Sequence, residues 1–262
     1  MAGEAKSDNF MLGVATVMIG PSAELFDLTP EKHSIGLVKN FQMQSDPQYT
    51  DLTQGVRNTR VFSVMTNNTV TASMEVYEYT ARNIAYGLGL DGSGKQKVDA
   101  TAKLDAEVDG STTPVNSITI DAMPQDSEGN DAIAEGTYIM ISANNDDFTL
   151  VRKVTAVAAM DLTLDKEIKV TLPAGATVYV VNAVKVGGKE NQPFFGAKVV
   201  GKLANGKLMS LLLPKVRITN GFNLQFSSQD YGNLPFEFDI YDLVPTDNHY
   251  VDFDGAQAKV LV

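Results

Sequence analysis

The sequence predicts a mainly β protein, because apolar and polar residues alternate with a period of two through much of the chain. In residues 69–76, Val70, Ala72, Met74 and Val76 alternate with polar neighbours. A half-buried strand produces this pattern, since successive side chains point to opposite faces of a sheet. The same alternation recurs at residues 161–172, 215–219, 222–227 and 236–241.

The composition is that of a chain that buries a substantial core. It has 262 residues, of which 44% are hydrophobic and 20% are charged. This length and composition predict one large domain, or a domain that carries an insertion.

The N-terminal half is predicted to contain a strand at 10–21 and a hairpin further on. Asn67-Asn68 favours a tight turn, because Asn tolerates positive φ, so 61–65 is expected to pair with 69–79. Residues 44–60 are polar, contain Pro47 and Gly55 and show little periodicity, so we expect an exposed, irregular loop there.

One helix is predicted after that hairpin. Tyr77, Ala81, Ile84, Ala85 and Leu88 follow helical spacing and form one apolar stripe that would cover part of a sheet. The following glycines offer a stop, at positions 87, 89 and 92.

The middle of the chain reads as an inserted β-rich subdomain. Residues 91–117 are small, polar and charged, which is typical of a linker or boundary. We place the insertion at 93–189, where it divides a main domain formed by 1–92 and 190–262. Its predicted strands are at 138–141, 150–157, 161–172 and 178–186.

The C-terminal region predicts a three-stranded antiparallel meander. Asn220-Gly221 is the strongest short hairpin signal and would join the strand at 215–219 to one at 222–227. A second turn, at 230–233, would lead to the strand at 236–241.

No residue pattern points to catalysis. The chain has no cysteine, which excludes disulfides and thiolate metal sites, and its two histidines lack ligand spacing. Gly87 to Gly92 matches a dinucleotide-binding pattern, but a helix precedes it instead of a strand, so a helix end is the better interpretation. We expect a protein that is not an enzyme and has no catalytic, cofactor-binding or metal-binding residues.

The net charge is −11, with acidic residues spread along the chain. Such a chain should not condense on DNA, because binding phosphates needs clustered Lys and Arg. Neither a secretory leader nor a membrane span is expected, because no run of apolar residues is long enough.

Several segments in this order are similar to a known family. They are FMLGVATVMIGP (10–21), HSIGLVKNFQMQSD (33–46), VFSVMTNNTVTASMEVYEYTARNIAYGLGL (61–90) and LLLPKVRITNGFNLQFSSQDYGNLPFEFDIYDL (211–243). The arrangement resembles the major tail tube proteins of bacteriophages with long, non-contractile tails. The resemblance covers 1–90 and 190–250, and the insertion lies outside it.

The resemblance implies a barrel-forming β-sandwich flanked by one short helix. Six subunits would form a ring, and stacked rings would make a virion tail tube that conducts the genome during ejection. Assembly would take place in the host cytoplasm. The partners implied are further copies of the chain and the tail tip or initiator, tape measure and tail terminator proteins, while DNA passes the lumen without specific binding.

The same resemblance suggests where subunits touch. The loop at 44–60 and the arm at 1–10 would reach neighbouring subunits or rings. Within the loop, charged side chains are candidates for pairs between subunits: Asp46, Asp51, Arg57 and Arg60. Polar strand residues are candidates for the lumen face: Thr69, Thr71, Ser73, Glu75, Asn223 and Gln225.

Two other classes stay open. One is a virion or surface module for binding or decoration that acts through 93–189, and clustered exposed aromatics there would favour it. The insertion has three aromatic residues, Tyr138, Phe148 and Tyr179. The other is an enzyme, which would need a cleft with converging polar groups.

Overall fold

The computed structural model describes residues 11–92, 100–126, 129–142, 149–187, 192–225 and 231–262, with backbone only for 11–14. The chain forms two compact units. The first comprises Met1–Lys95 and Lys185–Val262, and the second comprises Gln96–Val184. The architecture is mainly β, with 53% of residues in strands and 9% in helices, and it includes antiparallel sheets and a half-barrel. The predicted fold class is confirmed at this level. No helix in these ranges is both long and apolar enough to cross a membrane.

The first unit is built on one seven-stranded antiparallel sheet with the order β1-β12-β13-β14-β3-β2, and β15 pairs with β13. Its strands are β1 (Met11–Pro21), β2 (Val38–Gln54), β3 (Thr59–Val76), β12 (Phe195–Leu203), β13 (Leu208–Asn220), β14 (Leu234–Ile240) and β15 (Lys259–Leu261). Short helical segments accompany the sheet: a 3-10 helix (Ser22–Asp27), α1 (Pro30–His33), α2 (Ala81–Gly87) and α3 (Tyr250–Phe253).

The two ends of this sheet approach each other on the apolar side. The Ile35 N–H donates to the Val17 carbonyl over 3.1 Å, which ties the chain just before β2 to β1. The core between them draws on every strand named above except β15. An apolar cleft of about 660 Å³ remains near the start of β2, lined in part by Phe41, Val199 and Leu211.

Helix α2 lies where the apolar stripe predicts it, but it begins later, at Ala81. Thr80 caps it by accepting a hydrogen bond from the Asn83 N–H over 3.1 Å. Gly89 ends it with a φ of +73°, a left-handed conformation that suits glycine. Tyr86 anchors the helix, since it is buried against Phe195 with ring centroids 5.1 Å apart. Burial raises the pKa of the Tyr86 phenol to about 12.

The predicted turn at Asn67-Asn68 and the irregular loop at 44–60 are wrong. Strand β3 runs through both asparagines without a turn, and Asn67 pairs with Gln48. Residues 44–54 are strand, and the turn is at Gly55–Asn58, where the Asn58 N–H donates to the Gly55 carbonyl over 3.1 Å. The ladder between β2 and β3 therefore continues past the point at which local turn preferences suggest a reversal.

The predicted C-terminal meander is wrong in its middle strand, whereas the strands predicted at 215–219 and 236–241 correspond to β13 and β14. Residues 221–225 are not strand, and β14 pairs directly with β13, with Val216 opposite Ile240. The prediction for 226–230 lies outside the described residues. Gly221 does not form a hairpin turn. It allows two segments to pack closely, because a Cβ there would come within 2.8 Å of the Gly87 Cα.

The second unit has its own core and a six-stranded antiparallel sheet with the order β4-β11-β7-β8-β9-β6. A separate pair joins β5 to β10. The strands are β4 (Thr101–Lys103), β5 (Val108–Asp109), β6 (Val115–Thr119), β7 (Tyr138–Ser142), β8 (Thr149–Ala158), β9 (Asp161–Ile168), β10 (Thr171–Leu172) and β11 (Thr177–Val181).

Candidate assembly surface

The most exposed element of the first unit is the outer part of the hairpin formed by β2 and β3. We call residues 46–68 the ribbon. Strand β14 pairs with β3 only from Val70 to Val76, so the ribbon continues as two strands beyond its last neighbour. The nine residues from Asp46 to Gln54 extend it by about 30 Å at the usual rise of a strand. None of the ribbon residues is buried.

Large apolar side chains lie on both faces of the ribbon. Residues directly opposite each other share a face, and the register places Leu52 opposite Phe62 and Tyr49 opposite Met65. The two pairs are three residues apart on each strand. Because side chains alternate between faces, an odd separation places the pairs on opposite faces. Leu52 and Phe62 are each 62% exposed, and Val64 lies on the same face as they do.

The charged residues predicted as assembly contacts all lie on the ribbon. The structure brings two of them together within one chain, since an Arg60 guanidinium nitrogen is 2.6 Å from Asp51 Oδ2. Asp51 also accepts a hydrogen bond from Ser63 Oγ over 2.7 Å. Asp46 accepts one from Gln48, and Arg57 lies in the exposed turn. Their role between subunits stays a prediction.

Four of the predicted lumen residues share one face of β3. Thr69, Thr71, Ser73 and Glu75 alternate with the buried Val70, Ala72, Met74 and Val76. The pKa of the Glu75 carboxyl is lowered, chiefly by the hydrogen bond that it accepts from the Tyr77 hydroxyl over 2.8 Å.

This polar face continues onto the strands on either side of β3. Thr71 lies between Gln44 on β2 and Asp239 on β14, and Ser73 lies between Gln42 and Glu237. The face forms a groove of about 500 Å³ with these side chains in its lining. It is therefore a continuous surface of hydroxyl, amide and carboxylate groups.

Asn223 and Gln225 do not belong to that face as strand residues. Both are exposed and lie in the segment after β13, where the Asn223 carbonyl accepts a hydrogen bond from the Tyr79 hydroxyl over 3.1 Å. The strand predicted at 222–227 is thus wrong for residues 222–225, and their role at a lumen stays a prediction.

Both histidines are engaged in local contacts. His33 Nδ1 accepts a hydrogen bond from the Thr29 N–H over 3.1 Å. His249 lies 3.1 Å from Asp252 Oδ2 and 3.1 Å from the Ser22 carbonyl. Across the part of the chain that the structure describes, no three His, Cys, Asp or Glu side chains gather into a metal-binding group.

Sequence reasoning missed the apolar residues of the ribbon. It selected the charged residues because they fitted an exposed loop. The side chains that would gain most from being covered are instead the exposed apolar ones, because removing apolar surface from water is favourable: Tyr49, Leu52, Phe62, Val64 and Met65. Their signal in the sequence is weak, because the two faces of a free ribbon both carry apolar residues and the alternation disappears.

In comparisons with known proteins, no family model matches this chain and no curated protein matches it.

Proposed function

We propose that the protein is a structural subunit that associates with further copies of itself through the ribbon. The observation that carries this proposal is the ribbon's exposure of large apolar side chains on both faces. Exposed apolar patches of this kind mark sites of association, since single exposed residues are common but clusters are not.

The ribbon's construction supports the same conclusion. A two-stranded hairpin in water is marginally stable at best, and it gains independent stability from a third strand or a packed layer. Leu52 and Phe62 on one face and Tyr49 and Met65 on the other have no such layer among the described residues. A neighbouring copy would supply it.

The sheet also offers edges for pairing. Strands β1 and β2 are the two terminal strands of the sheet, and within the described residues β2 has a strand partner only on its β3 side. Open edges are a liability in a monomer, and pairing them with neighbours closes the sheet across subunits. The half-barrel is suited to such closure because part of the barrel is already formed.

The polar groove suits a surface that DNA passes without binding. Glu237 and Asp239 contribute carboxylates to its lining, and the chain carries a net charge of −11. Binding to a phosphate backbone requires clustered cations, so an acidic and hydroxyl-rich face repels DNA and leaves it free to slide.

The arrangement of the copies in this proposal is taken from the resemblance to tail tube proteins. The subunit would be a β-sandwich of that family, six copies would form a ring, and stacked rings would form the virion tail tube for genome ejection. Tail tip, tape measure and terminator proteins would be its further partners. Assembly surfaces of about 1,000–2,000 Å² would hold such rings without covalent bonds.

The test is electron microscopy and sedimentation of the concentrated protein. The wild type should form hollow tubes of stacked sixfold rings. A variant with Leu52→Ser and Phe62→Ser should stay monomeric, because the shared apolar face is lost while the core is untouched. The matched control is Val244→Ser with Val251→Ser, which removes two exposed apolar side chains outside the ribbon.

Urea unfolding of all three proteins should give similar midpoints. Tubes formed by the ribbon variant would contradict the role of the ribbon. A wild type that remains monomeric at about 1 mM, where even an association of about 4 kcal/mol is detected, would contradict self-association by this chain.

A further inference from the structure

The two faces of the ribbon differ in their chemistry. One face, which we call the uncharged face, consists of apolar side chains and a hydroxyl group: Thr50, Leu52, Phe62 and Val64. The other face, which we call the mixed face, combines apolar side chains with an ion pair: Tyr49, Met65, Asp51 and Arg60. A surface that covers the mixed face must accommodate a charged pair, because burying charges is costly unless they keep polar partners. The two faces therefore match different covering surfaces.

The two faces also continue different sides of the sheet. Tyr49 is an even number of residues after Met43, which lies opposite a buried residue of β3, so the mixed face continues the core side. Leu52 is an even number of residues after Gln44, which lies opposite Thr71, so the uncharged face continues the polar side. An antiparallel sheet commonly buries one side and leaves the other in water. The ribbon departs from this rule because large apolar side chains are exposed on both of its sides.

One face of the ribbon is too small to hold another copy by itself. The ribbon extends about 30 Å, and two strands spaced by about 5 Å give it a width of about 10 Å. Each face therefore has a projected area of about 300 Å². A specific interface covers about 800 Å² per partner, and areas below half of that are typical of crystal packing. Covering both faces and the edges brings the covered area close to that of a specific interface.

We infer that the ribbon of one copy is clasped between two other copies, one on each face. The inference rests on the proposed function, since it takes both neighbours to be copies of this chain. The two faces point in opposite directions, so one flat neighbouring surface covers only one of them. Because the faces differ in chemistry, the two neighbours present different parts of their surface. Each ribbon then joins three chains, so a contact between two chains alone is weak and assembly is cooperative.

Substitutions on either face alone should prevent assembly. Tyr49→Ser with Met65→Ser removes the large apolar side chains of the mixed face, and Leu52→Ser with Phe62→Ser removes two of those on the uncharged face. Electron microscopy should show no tubes for either variant, while the urea midpoints stay near that of the wild type. An equimolar mixture of the two variants should also form no tubes, because no chain in it has both faces intact. Tubes formed by the folded Tyr49→Ser, Met65→Ser variant would overturn the clasp.

Photocross-linking counts the neighbours of one ribbon. The photoreactive amino acid benzoylphenylalanine replaces Tyr49, Leu52 or both in a tagged chain, and a small fraction of this chain is assembled with an excess of wild type. Each single replacement should give a tagged product of two chains. The double replacement should also give a product of three chains, because its probes lie on opposite faces. The same tagged chain in dilute, monomeric solution is the control and should give no cross-linked product.

The outcomes separate the clasp from the proposed function. A product of three chains that requires both probes supports the clasp. Tubes in which the double replacement gives only products of two chains overturn it, because one neighbour then contacts both faces or one face stays open. Self-association through the ribbon stands after that result. A wild type that forms no assembly contradicts the proposed function itself, and the clasp is then also overturned.

Discussion

The two halves of β3 have similar backbones and opposite environments. Residues 70–76 alternate strictly between buried and partly exposed, whereas none of residues 59–69 is buried. Residues 70–76 have β14 on one side and β2 on the other, whereas residues 59–69 have β2 alone. Apolar side chains occur in both halves, so composition does not determine which half is covered. The neighbouring strand and the core behind it do.

Because of this difference, the stability of the fold can be measured separately from association between copies of the chain. The buried side chains of residues 70–76 stabilise the fold, because their removal leaves a cavity in a packed core. Side chains on the ribbon contribute little to the isolated chain, since they remain in water before and after folding. Variants matched in chemistry but placed in the two regions therefore measure the difference directly.

The largest effect is expected for a matched pair of phenylalanines. Phe236 on β14 is fully buried opposite Met74, and Phe62 on the ribbon is 62% exposed. Phe236→Ala should lower the free energy of unfolding by about 3–5 kcal/mol. Phe62→Ala should change it by no more than about 0.5 kcal/mol. Urea unfolding of dilute, monomeric protein is the measurement, and similar losses for the two variants would show that the ribbon is part of the core.

A smaller effect is expected at a shielded ion pair outside the ribbon. Lys215 Nζ lies 2.6 Å from Asp247 Oδ2, and both side chains are mostly shielded from water. The hydrogen bond from Lys215, aided by the Val244 N–H, holds the pKa of the Asp247 carboxyl below its ordinary value. Asp247→Asn should lower the free energy of unfolding at pH 7 by about 1 kcal/mol.

The pH dependence of that effect has a defined sign. A carboxyl whose pKa is lower in the folded state stabilises the fold above its unfolded pKa, and this stabilisation is lost as pH falls through the folded pKa. The gap in stability between wild type and Asp247→Asn should therefore shrink as the pH is lowered below about 4. Unfolding curves at pH 7, 5 and 3.5 measure it, and a gap that widens in acid would contradict the assignment.

The smallest effect is expected at the corresponding ion pair on the ribbon. Arg60 and Asp51 are also 2.6 Å apart, but the Arg60 side chain is 69% exposed. Exposed pairs contribute little because water screens the charges and the long side chains lose conformational freedom. Asp51→Asn should therefore change the free energy of unfolding by no more than about 0.5 kcal/mol. A larger loss in the dilute chain would show that this pair organises the ribbon.

Sequence reasoning succeeded where burial imposes a period. The alternation at 69–76 predicts both faces of β3 because a packed core lies behind one of them. Helix α2 lies within the predicted segment and Gly89 ends it as the glycines indicate. Its buried residues are Asn83, Ala85 and Tyr86, however, and only Ala85 belongs to the predicted apolar stripe.

It failed where a distant contact overrides a local preference. Asn67 and Asn68 favour a turn, yet they continue the ladder because Gln48 and Pro47 lie opposite them. Gly221 favours a hairpin after Asn220, yet its missing side chain lets the chain approach Gly87. Pro47 suggests a loop, but an edge strand such as β2 tolerates proline. In each case the deciding partner is far away in sequence, so local patterns do not reveal it.

A paired ribbon has a consequence for the entropy of association. Ordering one residue of backbone costs about 1–2 kcal/mol, and a disordered loop meets that cost when it binds. In this protein the two strands of the ribbon are already paired with each other, so association has less chain to order than a disordered loop would have. A larger share of the free energy of covering Leu52 and Phe62 is therefore left to hold the two copies together.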